Sequence, residues 1–487
     1  MSTLCSLTSR SLVVSALALA LAACQSMRGT EPTVQTDIPQ SYTTLNSGSA
    51  ASIAEQGYQD FFADQRLKQV IDLALQNNRD LRVAALNIQR AQQQYQISEN
   101  NQLPTVGASA GMTRQVNRSA YGTTPPTTIY NVGLGVTAYE LDFWGRVRSL
   151  KDAALDNYLA TQSSRDNVQI SLISQVAQAW LNYAYANSNL KLAQQTLKAQ
   201  EESYLLNKRR FDVGIDSEVP LRQAQVSVEV AKNDVANFNT QIQQAKNLLD
   251  LLVGQQVDES LLSKERISKI TNTSVLSAGL PSDLLNNRPD VRASEYQLSA
   301  AGANIGVAKA ALFPSIRLTG SAGFASTDLD NLFSSNSKVW SIGPSLDIPL
   351  FDWGTRRSNI KISETDQRVA AANYEKSVQT AFREVNDVLA TRKYIDERLA
   401  AQRRLVSATN TTYKLSNARF RAGIDSFLTV LDAQRSSYSS EQGLLALEQA
   451  DLNSQIELYK ALGGGVKANT ADQVQNEASS AERLRKN

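Results

Sequence analysis

The chain has no histidine among its 487 residues, and its only two cysteines are Cys5 and Cys24. The absence of histidine removes the commonest general base and the commonest metal ligand together, which argues against an enzyme. Two cysteines provide neither a disulfide framework nor a CxxC site. The 49 Lys and Arg residues nearly balance the 47 Asp and Glu residues, so no global charge attracts nucleic acid. We therefore expect no catalytic residues, no metal, no cofactor and no nucleic-acid partner.

Long hydrophobic runs are also missing. After Cys24 no stretch reaches the roughly 18–20 apolar residues that a transmembrane helix requires. The apolar run at 11–23 is too short for a stable span and, with Arg10 before it, predicts a signal peptide over residues 1–23. This signal ends in "LAAC", which resembles the lipobox of bacterial lipoproteins. The resemblance implies acylation of Cys24 and, because Gln25 rather than Asp follows, an outer-membrane anchor. An ordinary secretion signal with an incidental cysteine is the alternative.

The sequence does contain an internal repeat. The stretch "RFDVGIDS", with Gly214, returns as "RFRAGIDS", with Gly423, 209 positions later. The same offset separates Trp144 from Trp353. Landmarks that keep their order and spacing indicate a tandem duplication of one structural unit. The predicted repeats cover residues 67–254 and 286–465.

Three predicted segments lie outside the repeats. Residues 24–66 form the lipidated N-terminal segment, and residues 255–285 form a polar link between the repeats. The tail, residues 466–487, has almost no large apolar residue and is predicted to be disordered.

Each repeat begins with a predicted helix, over about residues 67–100 and 290–312, which a proline then ends. Residues 146–213 and 355–422 contain no Gly and no Pro, which predicts two helices of about 100 Å at 1.5 Å per residue. Helices of that length are typical of coiled coils. We expect each to turn back at its glycine into a second helix. Gly214 would take the left-handed conformation, Ser217 would cap the second helix, and Pro220 would fall in its first turn.

The second helix of the first hairpin carries an unbroken heptad seam. Its members are Leu221, Ala224, Val228, Ala231, Val235, Phe238, Ile242, Ala245, Leu249 and Leu252. The equivalent stripe in the second repeat is more polar. It consists of Val430, Ala433, Ser437, Ser440, Leu444, Leu447, Asp451 and Ser454. Two interpretations stay open: drift on a solvated face, or a helix that slides or lines water.

Four segments, at about 105–113, 130–139, 316–324 and 340–348, alternate between apolar and polar residues. Segments of about ten residues with this alternation are typical of transmembrane β-strands, and also of a sheet half-buried on a soluble core. The lipobox favours the membrane. Strands that cross lipid must close into a barrel, and the smallest barrels have about eight strands. Four strands per chain therefore require a dimer, a trimer or a tetramer, with eight, twelve or sixteen strands.

The duplicated plan, the lipobox and two longer motifs closely resemble the outer-membrane factors of the TolC family, in the lipidated branch that serves resistance-nodulation-division (RND) efflux pumps. The motifs are "LNNRPDVRASEYQLSAAGANIGVAKAALFPSI" and "YKLSNARFRAGIDSFLTVLDAQRS". The resemblance implies a mixed α+β membrane protein that forms a homotrimer. A twelve-stranded outer-membrane β-barrel would continue into a periplasmic α-helical coiled-coil barrel. The assembly would be a passive exit duct for drugs, docked to a periplasmic adaptor (a membrane fusion protein) and an inner-membrane RND pump.

The same resemblance implies two sets of site residues. The hairpin tips that would meet the adaptor are Gly214, Ile215, Asp216 and Ser217, and Gly423, Ile424, Asp425 and Ser426. Four arginines beside the tips, Arg210, Arg222, Arg419 and Arg421, would be solvated or would pair with adaptor carboxylates. Phe420 and Asp432 match the periplasmic gate of the family. Pro220 stands where relatives place an Asp, so the closing bonds made there in relatives do not transfer.

Two other functions remain open at this point. The same channel architecture would also serve type I protein secretion or heavy-metal export. A periplasmic coiled-coil lipoprotein without a pore would place the alternating segments in water.

Overall fold

The computed structural model describes residues 27–30, 32, 34, 56–116, 118–119, 122–123, 125–272 and 283–465. The predicted signal peptide, Cys24 and the predicted disordered tail lie outside these residues. The chain divides into two compact units, and each unit takes segments from both repeats. The strand unit contains Asn87–Gln162 and Ala293–Lys376 together with the described residues up to 34. The helical unit contains the remaining described residues.

The strand unit is built on one antiparallel sheet. Its strands are β1 (Val106–Gln115), β4 (Thr127–Leu141), β5 (Ser315–Ser326) and β6 (Lys338–Asp347), with a two-residue pair, β2 (Arg118–Ser119) and β3 (Gly122–Thr123), between β1 and β4. The order in the sheet is β1-β4-β5-β6. The first repeat therefore joins the second through β4 and β5, where Val132 lies opposite Phe324. This confirms the four predicted strands.

The sheet exposes large apolar side chains in the single chain. Met112, Leu134, Trp340 and Ile342 are each about 60–80% exposed. Within the part of the chain that the structure describes, β1 and β6 each pair with one strand only. The sheet therefore has two edges whose backbone groups find no partner strand among the described residues.

Nine helices are present in the described ranges. They are α1 (Tyr58–Phe61), α2 (Gln65–Asn77), α3 (Arg79–Asn100), α4 (Arg146–Asp212), α5 (Glu218–Val253), α6 (Asp283–Asn287), α7 (Pro289–Ala310), α8 (Thr355–Arg421) and α9 (Phe427–Ala461). Helices α4 and α8 both have 67 residues, which confirms the two long predicted helices. In the described residues, none of the helices is long and apolar enough to cross a membrane.

The first predicted helix, over 67–100, is wrong in one respect, because it is broken at Asn78 between α2 and α3. Asn78 has an extended backbone. Its Oδ1 accepts from the Leu81 N–H at 2.8 Å, and its Nδ2 donates to the Leu252 carbonyl at 2.8 Å. The side chain thus caps α3 and ties the break to the end of α5. The second repeat is broken at the equivalent place, Arg288, between α6 and α7.

A left-handed glycine lies against the break in each repeat. Gly254 has φ +79°, and a Cβ there would come within 2.5 Å of the Asn77 carbonyl oxygen. Gly463 has φ +101° and stands in the same relation to Asn287. The close approach requires glycine at both positions. The contact between a left-handed glycine and the helix break occurs in both repeats, so the break is a regular feature of the duplicated unit.

The core of the helical unit is aromatic at its centre. Phe61 stacks on Tyr459 with ring centroids 4.5 Å apart, and the Trp180 indole donates to the Leu261 carbonyl at 2.9 Å. Leu261 belongs to the segment predicted as a polar link. In that segment Val257, Leu262, Ile267 and Ile270 are all buried. These apolar residues of the link therefore belong to the core, which the prediction of a polar connection missed.

Candidate functional site: the hairpin tips

The two hairpin tips have the same backbone. Gly214 and Gly423 both have φ +77°, as the sequence predicted. The Ile215 N–H donates to the Arg210 carbonyl at 2.9 Å, and the Ile424 N–H donates to the Arg419 carbonyl at 2.9 Å. These bonds satisfy the last carbonyls of α4 and α8 in the manner of a left-handed helix cap. Both long helices thus end in identical, closed turns.

Each turn is also held by an ion pair that sequence reasoning missed. Arg210 Nε donates to Asp216 Oδ2 at 2.5 Å. Arg419 donates to both oxygens of Asp425, at 2.7 Å from Nε and 2.9 Å from Nη2. The hydrogen bonds from Arg419 lower the pKa of Asp425 and raise the pKa of the guanidinium. The recurrence of an Arg six residues before an Asp in both repeats was the available signal.

These contacts give flanking arginines partners within the chain, although the side chains of Arg222 and Arg419 stay 65% and 55% exposed. Arg210 and Arg419 hold carboxylates of their own turns. Arg222 pairs with Glu218 at 2.7 Å on the same helix. Arg421 lies beside Arg210 and Tyr413 in the lining of a cavity of about 340 Å³. Arg210, Arg222 and Arg419 thus pair with carboxylates in or beside their own turns.

The two serines of the tips occupy N-cap positions without making the expected bond. Ser217 precedes α5 and Ser426 precedes α9, and neither side chain accepts a hydrogen bond from the helix that it precedes. The prediction for Ser217 is thus correct in position and wrong in its cap bond. Pro220 lies in the first turn of α5, as predicted, where its missing N–H leaves no helical bond unmade.

Exposed aliphatic side chains project from both turns. Ile215 is 65% exposed and Ile424 is 63% exposed. Beside the first tip, Val219 and Val226 on α5 and Arg435 on α9 line a groove of about 450 Å³. A rigid turn with an exposed aliphatic residue, next to a partly apolar groove, is a surface suited to contact with another protein.

The two predicted gate residues have different surroundings. Phe420 is buried, its ring lies 5.6 Å from that of Phe427, and the Arg210 guanidinium stands 5.1 Å from its centroid. Asp432 is exposed on α9, between buried Leu431 and Ala433. Phe420 therefore packs inside the tip region of this chain, and Asp432 presents its carboxylate outward.

The heptad seam of α5 is confirmed, because all of its predicted members are buried or half-buried. The polar stripe of α9 is buried or half-buried as well, with Ser437, Ser440 and Ser454 buried. Ser440 Oγ lies 2.7 Å from Thr409 Oγ1 on α8, Ser437 hydrogen-bonds Asn410, and Gln402 donates to the Ser440 carbonyl at 2.9 Å. Ser437 and Ser440 therefore belong to a buried hydrogen-bonded seam with α8 and not to a solvated face. The alternative, a helix that slides or lines water, stays a prediction.

A bond between α5 and α9 was not predicted either. The Tyr438 hydroxyl donates to Asp234 Oδ2 at 3.1 Å. Burial, together with the Asp234 carboxylate, raises the pKa of Tyr438. The residues are 204 positions apart, and no local pattern connects them.

Comparison with known proteins places these features in a family. The profile of the family described as "Outer membrane efflux protein" matches residues 70–255 and 280–464. The "Probable efflux pump outer membrane protein TtgC" of Pseudomonas putida is 42% identical over 427 residues, which cover 87% of this chain and 88% of that protein. The "Cation efflux system protein CusC" of Escherichia coli is 36% identical over 88% of this chain and 93% of that protein.

Solved structures agree. The open state of the Neisseria gonorrhoeae MtrE outer membrane channel has a TM-score of 0.83 at 39% identity, covering 91% of this chain and 99% of that one. A CusC structure has a TM-score of 0.77 at 33% identity, covering 90% of this chain and all of that one. Sequence and fold agree over both repeats. The chain belongs to the outer membrane efflux protein family and is an outer-membrane efflux channel, not an enzyme.

Proposed function

We propose that this channel is a homotrimer that serves as the passive outer-membrane duct of a tripartite multidrug efflux pump. The observation that carries the assembly is the open four-stranded sheet with its two unpartnered edges. Each unpaired backbone N–H or C=O group at an edge would cost several kcal/mol of stability in hydrocarbon. A closed barrel needs about eight strands or more. Three chains joined edge to edge supply twelve strands and leave no edge exposed.

The hairpin tips are the proposed docking surface for a periplasmic adaptor, which in turn contacts an inner-membrane RND transporter. Three chains would present six tips of nearly the same geometry. The closed turns and the Arg210–Asp216 and Arg419–Asp425 pairs hold the tips in one conformation, so that docking loses little conformational entropy. Ile215 and Ile424 are then the side chains that enter adaptor contacts. Gly214, Ser217, Gly423 and Ser426 shape the turns.

The proposed gate is a ring of Asp432 carboxylates, one from each chain, near the threefold axis. The exposed position of Asp432 supports this role. Phe420 acts behind it by packing the end of α8 against the start of α9. A ring of carboxylates attracts cations, so Asp432→Ala should reduce cation selectivity in single-channel recordings. Unchanged conductance and selectivity would remove Asp432 from the gate.

A lipid on Cys24 is proposed to hold the channel at the outer membrane. The "LAAC" motif supports this, and the mass of the mature N-terminus tests it.

Drugs are the proposed substrates because curated relatives at 40–44% identity carry names of antibiotic, toluene and solvent efflux pumps. Heavy-metal export is the second candidate, favoured by the likeness to a cation efflux protein at 36% identity. Deletion of the gene separates the two. Greater susceptibility to organic drugs with unchanged metal tolerance and unchanged protein secretion supports the first proposal. The reverse pattern supports metal export, and a loss of secreted protein alone supports type I secretion.

Adaptor docking is tested by complementation of the deletion with variants of the tips. Ile215→Asp and Ile424→Asp should abolish drug resistance while channel conductance in a planar bilayer is retained. Val83→Asp on α3, an exposed aliphatic residue away from the tips, is the matched control. Full resistance with both charged tips would contradict docking at this surface.

A further inference from the structure

A short N-terminal segment, Met27–Thr30, lies in a groove of the strand unit. Its backbone is fixed by two hydrogen bonds. The Gly29 N–H donates to the Gly302 carbonyl on α7 at 3.1 Å, and Gln367 Nε2 on α8 donates to the Thr30 carbonyl at 3.3 Å. Only two residues, Gln25 and Ser26, lie between Cys24 and Met27, so whatever holds this segment also constrains the proposed lipid anchor.

Arg28 makes the strongest contacts of the segment. Its Nη2 donates to the Ser299 carbonyl at 2.9 Å and to Asp156 Oδ2 at 3.3 Å. Ser299 in turn donates from Oγ to the same Asp156 oxygen at 2.6 Å and also contacts Arg28. The Asp156 side chain is only 14% exposed. The Asp156 carboxylate on α4, which is mostly buried, thus accepts hydrogen bonds from the Arg28 guanidinium and from Ser299 of α7. Hydrogen bonds between charged groups are among the stronger ones in proteins.

Two glycines of α7 make room for the segment. A Cβ on Gly306 would lie 2.7 Å from Ser149 Oγ and 3.3 Å from the Arg28 backbone nitrogen, and a Cβ on Gly302 would lie 3.2 Å from Gln367 Nε2. The glycines are four residues apart and share one face of the helix. That face is therefore fitted to an extended backbone lying across it.

The duplication provides an internal comparison. With the offset of 210 that aligns the first helices of the repeats, Gly302 and Gly306 correspond to Gln92 and Gln96 of α3, both exposed. With the offset of 209 that aligns the long helices, Asp156 corresponds to Thr365. The equivalent helices therefore lack these features: α3 of the first repeat has no glycine face, and α8 of the second repeat has no carboxylate at this position. In the described residues the groove is formed by α7 of the second repeat together with Asp156 on α4 of the first repeat.

We propose that Gly302, Gly306, Ser299 and Asp156 form a dedicated seat for residues 27–30 of the same chain, and that this seat fixes where the N-terminal lipid anchor meets the membrane. The first clause stands on the contacts alone. The second rests on the proposed acylation of Cys24.

The direction of the segment supports the second clause. Met27 lies at Gly306 and Ser149, near the start of α4, whereas Thr30 lies at Gln367, further along α8. The segment therefore runs, from Thr30 to Met27, toward the junction of strands and helices. There Trp144 stacks on Phe313 at 4.7 Å, and aromatic residues favour membrane interfaces. Cys24 and Met27 are three peptide steps apart, so their Cα atoms lie at most about 11 Å from each other. This length limits how far the proposed lipid can lie from Met27.

Trypsin offers a direct test, because Arg28 is the only Lys or Arg between Cys24 and Arg66. Cleavage after Arg28 releases the peptide from Cys24 to Arg28 with any acyl groups it carries. The cleavage rate follows the fraction of molecules in which the segment has left its seat. The mature full-length protein in detergent should be cleaved there at least about tenfold more slowly than Asp156→Ala, given the usual strength of hydrogen bonds to charged groups. Gly306→Gln, which places the first repeat's residue in the seat, should be cleaved at least as fast.

The matched controls are Thr365→Ala and Gln96→Gly, which change the positions equivalent to Asp156 and Gly306 across the duplication and should leave the cleavage rate unchanged. Cys24→Ser should remain protected, because the seat and not the lipid holds the segment. Loss of protection in Cys24→Ser would overturn the seat. So would cleavage of the unaltered protein as fast as the urea-unfolded chain, an outcome that needs no variant to fold. The mass of the released peptide decides acylation separately, and an unmodified peptide would overturn the lipid anchor and the second clause while the rates still decide the seat.

Discussion

The two hairpins share their turns and differ in their seams. In the first hairpin α5 buries Val228, Ala231 and Ile242, and the equivalent positions of α9, 209 residues later, are Ser437, Ser440 and Asp451. The turns nevertheless have the same φ at glycine and the same Arg–Asp pairing. Burial of apolar side chains is non-directional and does not select one register between two packed helices. Buried hydrogen bonds do select one register. Duplication has thus preserved the tip geometry while the two pairs of helices came to be held by different forces.

The largest expected effect comes from exchanging the most different pair of residues. Ile242 is 8% exposed, and its counterpart Asp451 is paired with Arg392 at 3.4 Å. Ile242→Asp would bury a carboxylate without such a partner and should destabilise the first hairpin by about 3–5 kcal/mol. Ile242→Val should lose only about 0.5–1.5 kcal/mol. Thermal unfolding in detergent measures both. Equal midpoints for the two variants would contradict an apolar seam at this position.

The second prediction exchanges Val228 and Ser437, which occupy equivalent positions. Val228→Ser buries a hydroxyl in an apolar seam, and Ser437→Val leaves Asn410 without its serine partner. Each substitution should lower the free energy of unfolding by about 1–3 kcal/mol. Hydrogen exchange of the helix amides should locate the loss in the first hairpin for one variant and in the second for the other. A stabilised Ser437→Val protein would mean that the polar seam adds nothing to the second hairpin.

The third prediction concerns what the hairpins share. Gly214→Ala and Gly423→Ala each place a Cβ at φ +77°, where a non-glycine residue loses about 1–2 kcal/mol. Because neither added Cβ meets another atom, the two losses should be equal. Hydrogen exchange at the turns measures them. A clear difference between the tips would show that the turns are not equivalent.

The smallest effect is a pH dependence of the second tip. Its Arg419 partner lowers the pKa of Asp425 below the model-peptide value of 3.8. The stabilisation is therefore fully present above that pH and is lost as the pH falls through the lower, folded-state value. Protection of the turn amides should be constant from pH 7 to about 4 and should fall below that. Arg419→Gln should remove the acid-dependent part, and an unchanged acid profile would contradict the ion pair.

The sequence predicted the elements that depend on local composition. Absence of Gly and Pro defined α4 and α8 nearly to the residue, and Gly214 and Gly423 defined the turns. It missed the break at Asn78, because that break depends on a carbonyl of Leu252, 174 positions away. It misread the serines of α9 for the same reason, since burial of Ser437 and Ser440 depends on partners in α8. The Arg–Asp pairs of the tips were visible in the repeated spacing, although their function in closing the turns was not.

The most direct test of the account is the number of chains that share the sheet edges. Native mass spectrometry of the mature protein released from detergent should give the mass of three chains, because in the proposed trimer β1 and β6 pair with strands of neighbouring copies. A species of one chain that keeps its strands in detergent would contradict the shared barrel, and with it the proposed duct.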